Sequence, residues 1–489
     1  MHEIRTKGMR FLDALGRERI FHGLNLKADI KEGDPEYGKL KLLDEEFFRR
    51  SASYGFNVLR LGVAWKNLEP IKGKYDEALL RRIDEIFALA ERYGMYIFLD
   101  MHQDVYHGMP GWATITDGFK RRAKPRFVWS EDYYWGRAVH RAFDHFWENT
   151  PVQGKGLQDH FAALWQDLAR RYAGRPAFLG FDLFNEPFPG KDGGLAFRKM
   201  VRKLISVAAF SPAVNRAEFI KNALRRETRS RAALDAVTSE VLRKVTSAAD
   251  GVVRKFDIER YTPFLSKMAA AVREVTPKGV IFMENCYYSN LGIPYAALAP
   301  TVNGVREPNV SYSPHAYDLT VDAPGYAYAS NERVGSIFAE RRRAQERLQA
   351  PVLVGEWGAG YMGEKCYPHI AFLLHLFDSY KWSFAYFTHT EDLYDSPLMD
   401  ILVRPYPVAV NGEIKAFGSD ADTSLFTLEF TQADGFAPLL VTEIYLPRSA
   451  ECVEAAGFEW REEAIDGGEG KTLLLTGGGA GDHRVTIQL

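Results

Sequence analysis

Residues 177–187 read AFLGFDLFNEP, and the way this run ends decides the fold. Its first part is as continuously apolar as a strand buried on both faces, the signature of a parallel sheet. It then meets Asn185 and Glu186, a carboxylate that a strand interior does not easily hold, and stops at Pro187. Seven further β-rich runs share the pattern: residues 20–26, 56–63, 95–102, 279–285, 309–317, 351–358 and 383–390. Helical stretches separate them, such as DEALLRRIDEIFALAERYG (76–94), whose apolar residues recur at three and four. Eight strand-plus-helix units predict an α/β fold, a (β/α)8 TIM barrel. A doubly wound open sheet is the alternative, but no GxGxxG follows any strand.

From about residue 399 the pattern changes to short alternating strands broken by Gly, Asp and Pro, as in TSLFTLEF (423–430), KTLLLTGGG (471–479) and HRVTIQL (483–489). The expected organisation is a catalytic barrel over 1–398 and a C-terminal antiparallel β-sandwich over 399–489. At the start, RFLDALGRERIF (10–21) reads as a small hairpin closing the bottom of the barrel.

The chain of 489 residues, 46% hydrophobic, is long enough for one large core and a second, smaller one. A net charge of −2 excludes a strongly basic nucleic-acid binder. Three cysteines without CxxC spacing indicate neither a disulfide framework nor a zinc knuckle. No run of about 18 apolar residues occurs, so no transmembrane helix is expected. The start, MHEIRTKGMRF, lacks the apolar core of a signal peptide. Location is left open: secreted if a presequence has been removed, otherwise cytoplasmic.

In such barrels the C-terminal strand ends build the site. Here they carry Arg60, His102 and Asp104, Asn185 and Glu186, His315 and Tyr317, and Glu356. Carboxylates on the fourth and seventh strands face each other, the arrangement of a glycosidase: one protonated to donate to the leaving oxygen, the other ionised to attack the anomeric carbon. Arg60 and Tyr317 would keep Glu356 ionised, making it the nucleophile. Glu186, beside an amide and apolar residues, would have the raised pKa of an acid/base. HQDVYH (102–107) could suggest a metal site, but it has no second ligand cluster, so His102 and Asp104 are read as binding sugar hydroxyls. Neither a metal nor a cofactor is expected. Trp129, in FVWSEDYYWG, offers a flat face for a pyranose.

FNEP and GEWG, with Arg60, His102, His315 and Tyr317 at strand ends, resemble glycoside hydrolase family 5. The resemblance implies a retaining (β/α)8 hydrolase in which Asn185 binds the sugar 2-hydroxyl, Tyr317 hydrogen-bonds the nucleophile and Arg60 orients it. MHQDVY, SPHAY, RPYPVAV (404–410) and TEIYLP (442–447) are similar to the endoglycoceramidases, which cut between a glycan and ceramide. That likeness implies Lys27, His102 and Asp104 at the first sugar. Where the family's eighth strand usually presents Trp, SFAYFTHT (383–390) has Phe387, so galactose stands beside glucose as the first sugar. A β-glucanase or β-glucosidase on non-lipid glycans, a single-sugar glycosylceramidase and a non-catalytic glycolipid-binding protein are the alternatives.

The fourth and fifth strands lie about 100 residues apart, so 190–256 is an insertion; it holds 15 Lys and Arg against 6 Asp and Glu. LAFRKMVRKLISVAAF (195–210), NRAEFIKNALRRE (215–227) and AVTSEVLRKV (236–245) mix apolar and basic residues at helical spacing. One reading is a solvated hairpin packed on the barrel. The other is a module giving transient contact with a membrane surface that carries the glycolipid. The chain is read as a monomer that does not bind nucleic acid.

Overall fold

All eight apolar runs fold as strands of one parallel sheet. The computed structural model describes residues 1–31, 33–121, 128–210, 237–321, 329–360, 363–420, 423–433 and 440–489. Its barrel strands are β1 (His22–Lys27), β2 (Val58–Val63), β3 (Tyr96–Met101), β4 (Phe178–Asp182), β5 (Val280–Met283), β6 (Val310–Tyr312), β7 (Leu353–Val354) and β8 (Ser383–Phe387). Hydrogen-bonded neighbours run β6–β5–β4–β3–β2–β1–β8–β7. The last gap, between β6 and β7, is spanned by parallel bridges at Tyr312–Val352 and His315–Glu356. The sheet is therefore a barrel, and it closes on two residues singled out by the sequence.

Alternation along each strand sorts the interior into layers, because successive side chains point to opposite faces. The lowest layer is apolar: Phe21, Val58, Tyr96, Phe98, Val280 and Phe282 cluster there with Leu353 and Ala385. Phe98 stacks on Phe282 with centroids 4.6 Å apart. Two residues further along three strands the apolar residues give way to Arg60, Asp100 and Glu284, all buried. Asp100 and Asp182 thus lie within strands β3 and β4. These strand interiors do hold carboxylates, because a guanidinium lies among them.

The hairpin Ile4–Lys7 with Arg10–Asp13 closes the bottom, where Ile4 and Phe11 join the apolar layer. Through Glu18–Arg19 it also hydrogen-bonds to Tyr406–Val410, so one seven-stranded sheet draws strands from both ends of the chain. That sheet faces a four-stranded one formed by Glu413–Asp420, Leu425–Gln432, Gly481–Gln488 and Cys452–Ala455. Ile414, Phe426, Leu428, Ile444, Leu473 and Ile487 fill the space between them, making an antiparallel sandwich. Cys286 and Cys366 are buried thiols, and Cys452 is exposed.

The barrel helices follow their sequence signals. Glu77–Arg92 is capped by Asp76, which accepts from the backbone N–H of Ala78 and Leu79. It buries Leu79, Leu80, Ile83, Ile86, Phe87 and Ala90 against the sheet. After β4, helix Lys191–Phe210 begins five residues beyond Glu186. Its start is tied down by Asp144 Oδ1, which accepts from the Lys191 N–H at 3.0 Å. Ser239–Thr246 and Asp250–Phe256 lead back towards β5. The stretch 215–227 and the first residue of 236–245 lie outside the described residues. Among the described residues no helix is long and apolar enough to cross a membrane.

Candidate active site

Glu186, four residues past the end of β4, lies in the left-handed region, with φ at 43°. Its backbone N–H donates to Glu284 Oε2 at 2.6 Å, and its Oε1 accepts from Asn290 Nδ2 at 2.6 Å. His315 Nδ1 is 3.2 Å from the same Oε1. Burial, and next the negative charge of Asp104, push the Glu186 carboxyl up to about 7, against the opposing pull of the Asn290 hydrogen bond. The surroundings are more polar than the sequence suggested. Removal from water raises this acid more than the charge of Asp104 does.

Glu356 follows β7. Its Oε1 accepts from Arg60 Nη1 at 2.7 Å, and its Oε2 accepts from the Tyr317 hydroxyl at 3.3 Å. His315 Nδ1 lies 3.8 Å from that Oε2. His315 is fully buried, and burial pushes its imidazole down to about 3, so it is neutral. One oxygen of Glu186, one of Glu356 and a ring nitrogen of His315 lie within 4.8 Å of one another. Gly355 makes room for this arrangement: a Cβ there would come within 2.7 Å of Ser313 Oγ and 2.8 Å of His315 Nε2.

Arg60 is the hub. Its Nε donates to Asp182 Oδ2 at 2.7 Å, its Nη1 to Glu356, and its Nη2 to Glu284 Oε1 at 2.6 Å and Asn185 Oδ1 at 3.0 Å. Asp100 Oδ1 is 3.1 Å from Nη2. Oxygens of Asp100, Asp182 and Glu284 converge within 4.8 Å, and the guanidinium supplies the positive charge at their centre. Asn185 also donates from Nδ2 to the Gln103 carbonyl at 2.8 Å, leaving its second amide hydrogen for a ligand.

Beside this centre a cleft of about 780 Å³ opens over β1–β3, lined by Lys27, Gly62, Lys66, His102, Asp104 and other residues. Lys27 Nζ donates to Asp104 Oδ2 at 2.8 Å. His102 is held between Asp100 Oδ2 (2.7 Å from Nδ1) and Asp104 Oδ2 (3.2 Å from Nε2). Burial alone would lower its pKa, but Asp100 and Asp104 outweigh this and hold the imidazolium up to about 10. Phe387, half-buried at the end of β8, has its backbone beside Trp357 and Gly358, immediately after Glu356. Trp129, which does not line this cleft, is 41% exposed and edge-on to Tyr133 at 6.4 Å. Tyr133 in turn contacts Gln103, whose Nε2 donates to the Asn185 carbonyl.

Residues 13–225 and 248–392 match the family described as Cellulase (glycosyl hydrolase family 5), and residues 404–487 match the Glycoside hydrolase family 5 C-terminal domain. The chain belongs to glycosyl hydrolase family 5. This family 5 chain is 31% identical over 207 residues to an endoglycoceramidase of Hydra vulgaris, covering 37% of the chain and 39% of the relative. It is also 31% identical over 218 residues to one of Cyanea nozakii, covering 38% and 42% respectively. It thus spans about two fifths of the length of these relatives. Among solved structures, endo-glycoceramidase II from a Rhodococcus species shares the fold at a TM-score of 0.73 and 23% identity, over 98% of each chain. An endogalactoceramidase superposes at 0.65 and 21% identity over 100% of each chain.

Four members of this family 5 site, Asp100, Asp182, Glu284 and Asn290, escaped the sequence reading. Three left a signal: a single carboxylate in an otherwise apolar run, in MYIFLDMH (95–102), FLGFDLF (178–184) and GVIFMEN (279–285). Buried charges are paired, so Arg60 in FNVLRLGV (56–63) called for such partners. Asn290 left none, because it reaches Glu186 from a short helical turn, Tyr287–Leu291.

Proposed function

We propose that this chain is a retaining β-glycosidase that hydrolyses the bond between glycan and ceramide in glycosphingolipids. The observation that carries the mechanism is the pair of carboxyls on β4 and β7 with oxygens within 4.8 Å. That gap suits direct attack, with carboxyls about 5–5.5 Å apart, better than the ~6.5–9.5 Å that an intervening water needs. The names of the relatives support the substrate.

In the first step Glu186 gives its proton to the glycosidic oxygen while Glu356 attacks the anomeric carbon; ceramide leaves as an alcohol and a glycosyl ester forms. In the second, Glu186, now ionised, takes a proton from the water that attacks the same carbon. The ester breaks, and the glycan leaves with its configuration retained. Arg60 and Tyr317 hold Glu356 ionised and aimed, and Asn185 binds the 2-hydroxyl with its remaining amide hydrogen. Lys27, His102 and Asp104 bind sugar hydroxyls in the cleft, Phe387 lies under the first sugar, glucose or galactose, and Trp129 stacks further out.

The aglycone side falls to the insertion, because helix Lys191–Phe210 starts next to the acid/base. Its outer face exposes Leu204 (43%) and Ile205 (63%) among Arg198, Lys199, Arg202 and Lys203. Apolar side chains set in a basic field suit an anionic lipid surface, where each basic residue contributes up to ~1 kcal/mol.

The test is a panel of glucosyl-, galactosyl- and oligoglycosyl-ceramides with products identified by mass spectrometry, alongside NMR of the first-formed anomer. Free ceramide, an intact glycan and the β-anomer support the reading. An α-anomer as first product, or turnover undiminished in Glu356→Gln, overturns the mechanism.

A further inference from the structure

Glu284 sits where β5 ends, 1% exposed, and grips both halves of the catalytic centre. Its Oε2 accepts the backbone N–H of Glu186 and its Oε1 accepts from Arg60 Nη2, each at 2.6 Å. The same end of β5 holds the rest of the acid/base. Asn290 donates to the Glu186 side chain, while Asn285 donates to Asn290 Oδ1 at 2.5 Å and accepts the His315 N–H at 3.0 Å. Glu186 needs this support, since φ of 43° is a conformation that side-chain-bearing residues rarely adopt. The bond from its N–H to Glu284 fixes the peptide there.

Charge decides the form in which Glu284 does this. Asp100, Asp182, Glu284 and Glu356 surround the guanidinium of Arg60, and the His102 imidazolium offsets only Asp100 from outside, so four ionised groups would still leave uncompensated negative charge out of water. A buried carboxyl in that position keeps its proton. Asp182 Oδ1 is buried with no hydrogen-bond donor, and oxygens of Asp182 and Glu284 lie within 4.8 Å. A proton held by Glu284 towards Asp182 supplies the missing donor and removes one negative charge. Burial and the neighbouring Asp182 raise Glu284 well above the usual carboxylate range, in the same sense.

We propose that Glu284 is a positioning residue, a neutral carboxyl that anchors the peptide of Glu186 and so aims the acid/base at the leaving oxygen. This rests on the reading of Glu186 as acid/base. The role has a signature that general destabilisation lacks. Losing a well-placed acid slows substrates whose leaving group needs a proton and spares those whose leaving group departs unaided. The ratio of the two rates is independent of how much enzyme is folded.

The experiment measures kcat for wild type, Glu284→Ala and Glu284→Gln on an alkyl β-glycoside and a 2,4-dinitrophenyl β-glycoside of the same sugar. For Glu284→Ala the expected loss is at least about 30-fold greater on the alkyl substrate, and the alkaline limb of its pH profile moves. Glu284→Gln keeps an acceptor for the Glu186 N–H and an N–H for Asp182, gives up only the acceptor used by Arg60 Nη2, and brings the ratio back to within about threefold of wild type. Equal losses on both substrates, or a ratio in Glu284→Gln no better than in Glu284→Ala, overturn the role of Glu284. A wild type inactive on both substrates overturns the reading of Glu186 and this role with it.

Discussion

Asn290 Nδ2 donates to Glu186 Oε1 at 2.6 Å, across 104 residues of chain. This bond favours the ionised form and opposes burial, which together with Asp104 still leaves the carboxyl up at about 7. In the proposed mechanism it therefore sets the balance between the acid of the first step and the base of the second. Asn290→Ala is expected to move the alkaline limb of kcat/KM upward in pH and to lower kcat about tenfold, the usual weight of a hydrogen bond to a charged group. A pH–rate series on one soluble substrate checks both.

The same raised carboxyl makes a prediction about stability. Below pH 4.5, the ordinary value for glutamate, Glu186 is protonated whether folded or unfolded and costs nothing. Between 4.5 and 7 the unfolded chain ionises first, so folding is progressively penalised, and above 7 the penalty is complete. At about 1.4 kcal/mol per unit this comes to roughly 3 kcal/mol. Glu186→Gln removes it, so the Tm of the variant relative to wild type should climb from pH 4.5 to 7 and then level off in calorimetry.

Arg60→Met should be among the most damaging single changes. It leaves Asp100, Asp182 and Glu356 buried without their shared cation, a loss of about 3–5 kcal/mol when one side of a buried ion pair is removed. The orphaned carboxylates can recover by taking protons, so the fall in Tm should be smaller at pH 5 than at pH 8. Thermal denaturation at the two pH values decides this.

Phe387 is half-buried at the end of β8, next to the segment that carries Glu356. Phe387→Trp extends the flat surface proposed to lie under the first sugar. One changed apolar contact discriminates by about 10-fold or more. The variant should raise the ratio of kcat/KM for glucosyl over galactosyl substrates by about that factor.

Replacing Arg202 and Lys203 by Gln, and Leu204 and Ile205 by Ser, alters only exposed positions of helix Lys191–Phe210. Hydrolysis of glycolipid in anionic vesicles should fall at least about tenfold, while hydrolysis of a soluble aryl glycoside stays unchanged. Equal rates on vesicles would remove the membrane role and leave a helix that merely packs on the barrel.

Much of this was legible in the chain itself. Eight apolar runs with polar ends specify buried parallel strands, because strand periodicity and the need to solvate or pair charge act locally. DEALLRRIDEIFALAERYG announced its helix for the same reason. Glu186 and Glu356 stood out since a carboxylate closing an apolar strand needs an explanation. Asp100 and Asp182 carried the same signal, but, still within their strands, their meaning depended on a cation supplied by a different strand.

The sequence alone determined the barrel, the sandwich and the two carboxylates, because these follow from short-range periodicity and from the chemistry of single residues. Only the tertiary structure decided which groups share a charge or a hydrogen bond. The end of β5 became the support of Glu186 when the barrel brought Glu284 within 2.6 Å of its backbone, 98 residues away. Similarly, the N-terminal hairpin became part of the C-terminal sheet through pairing with residues nearly 400 positions on. Both outcomes depend on distances between distant segments, and such distances are set by packing rather than by any local pattern.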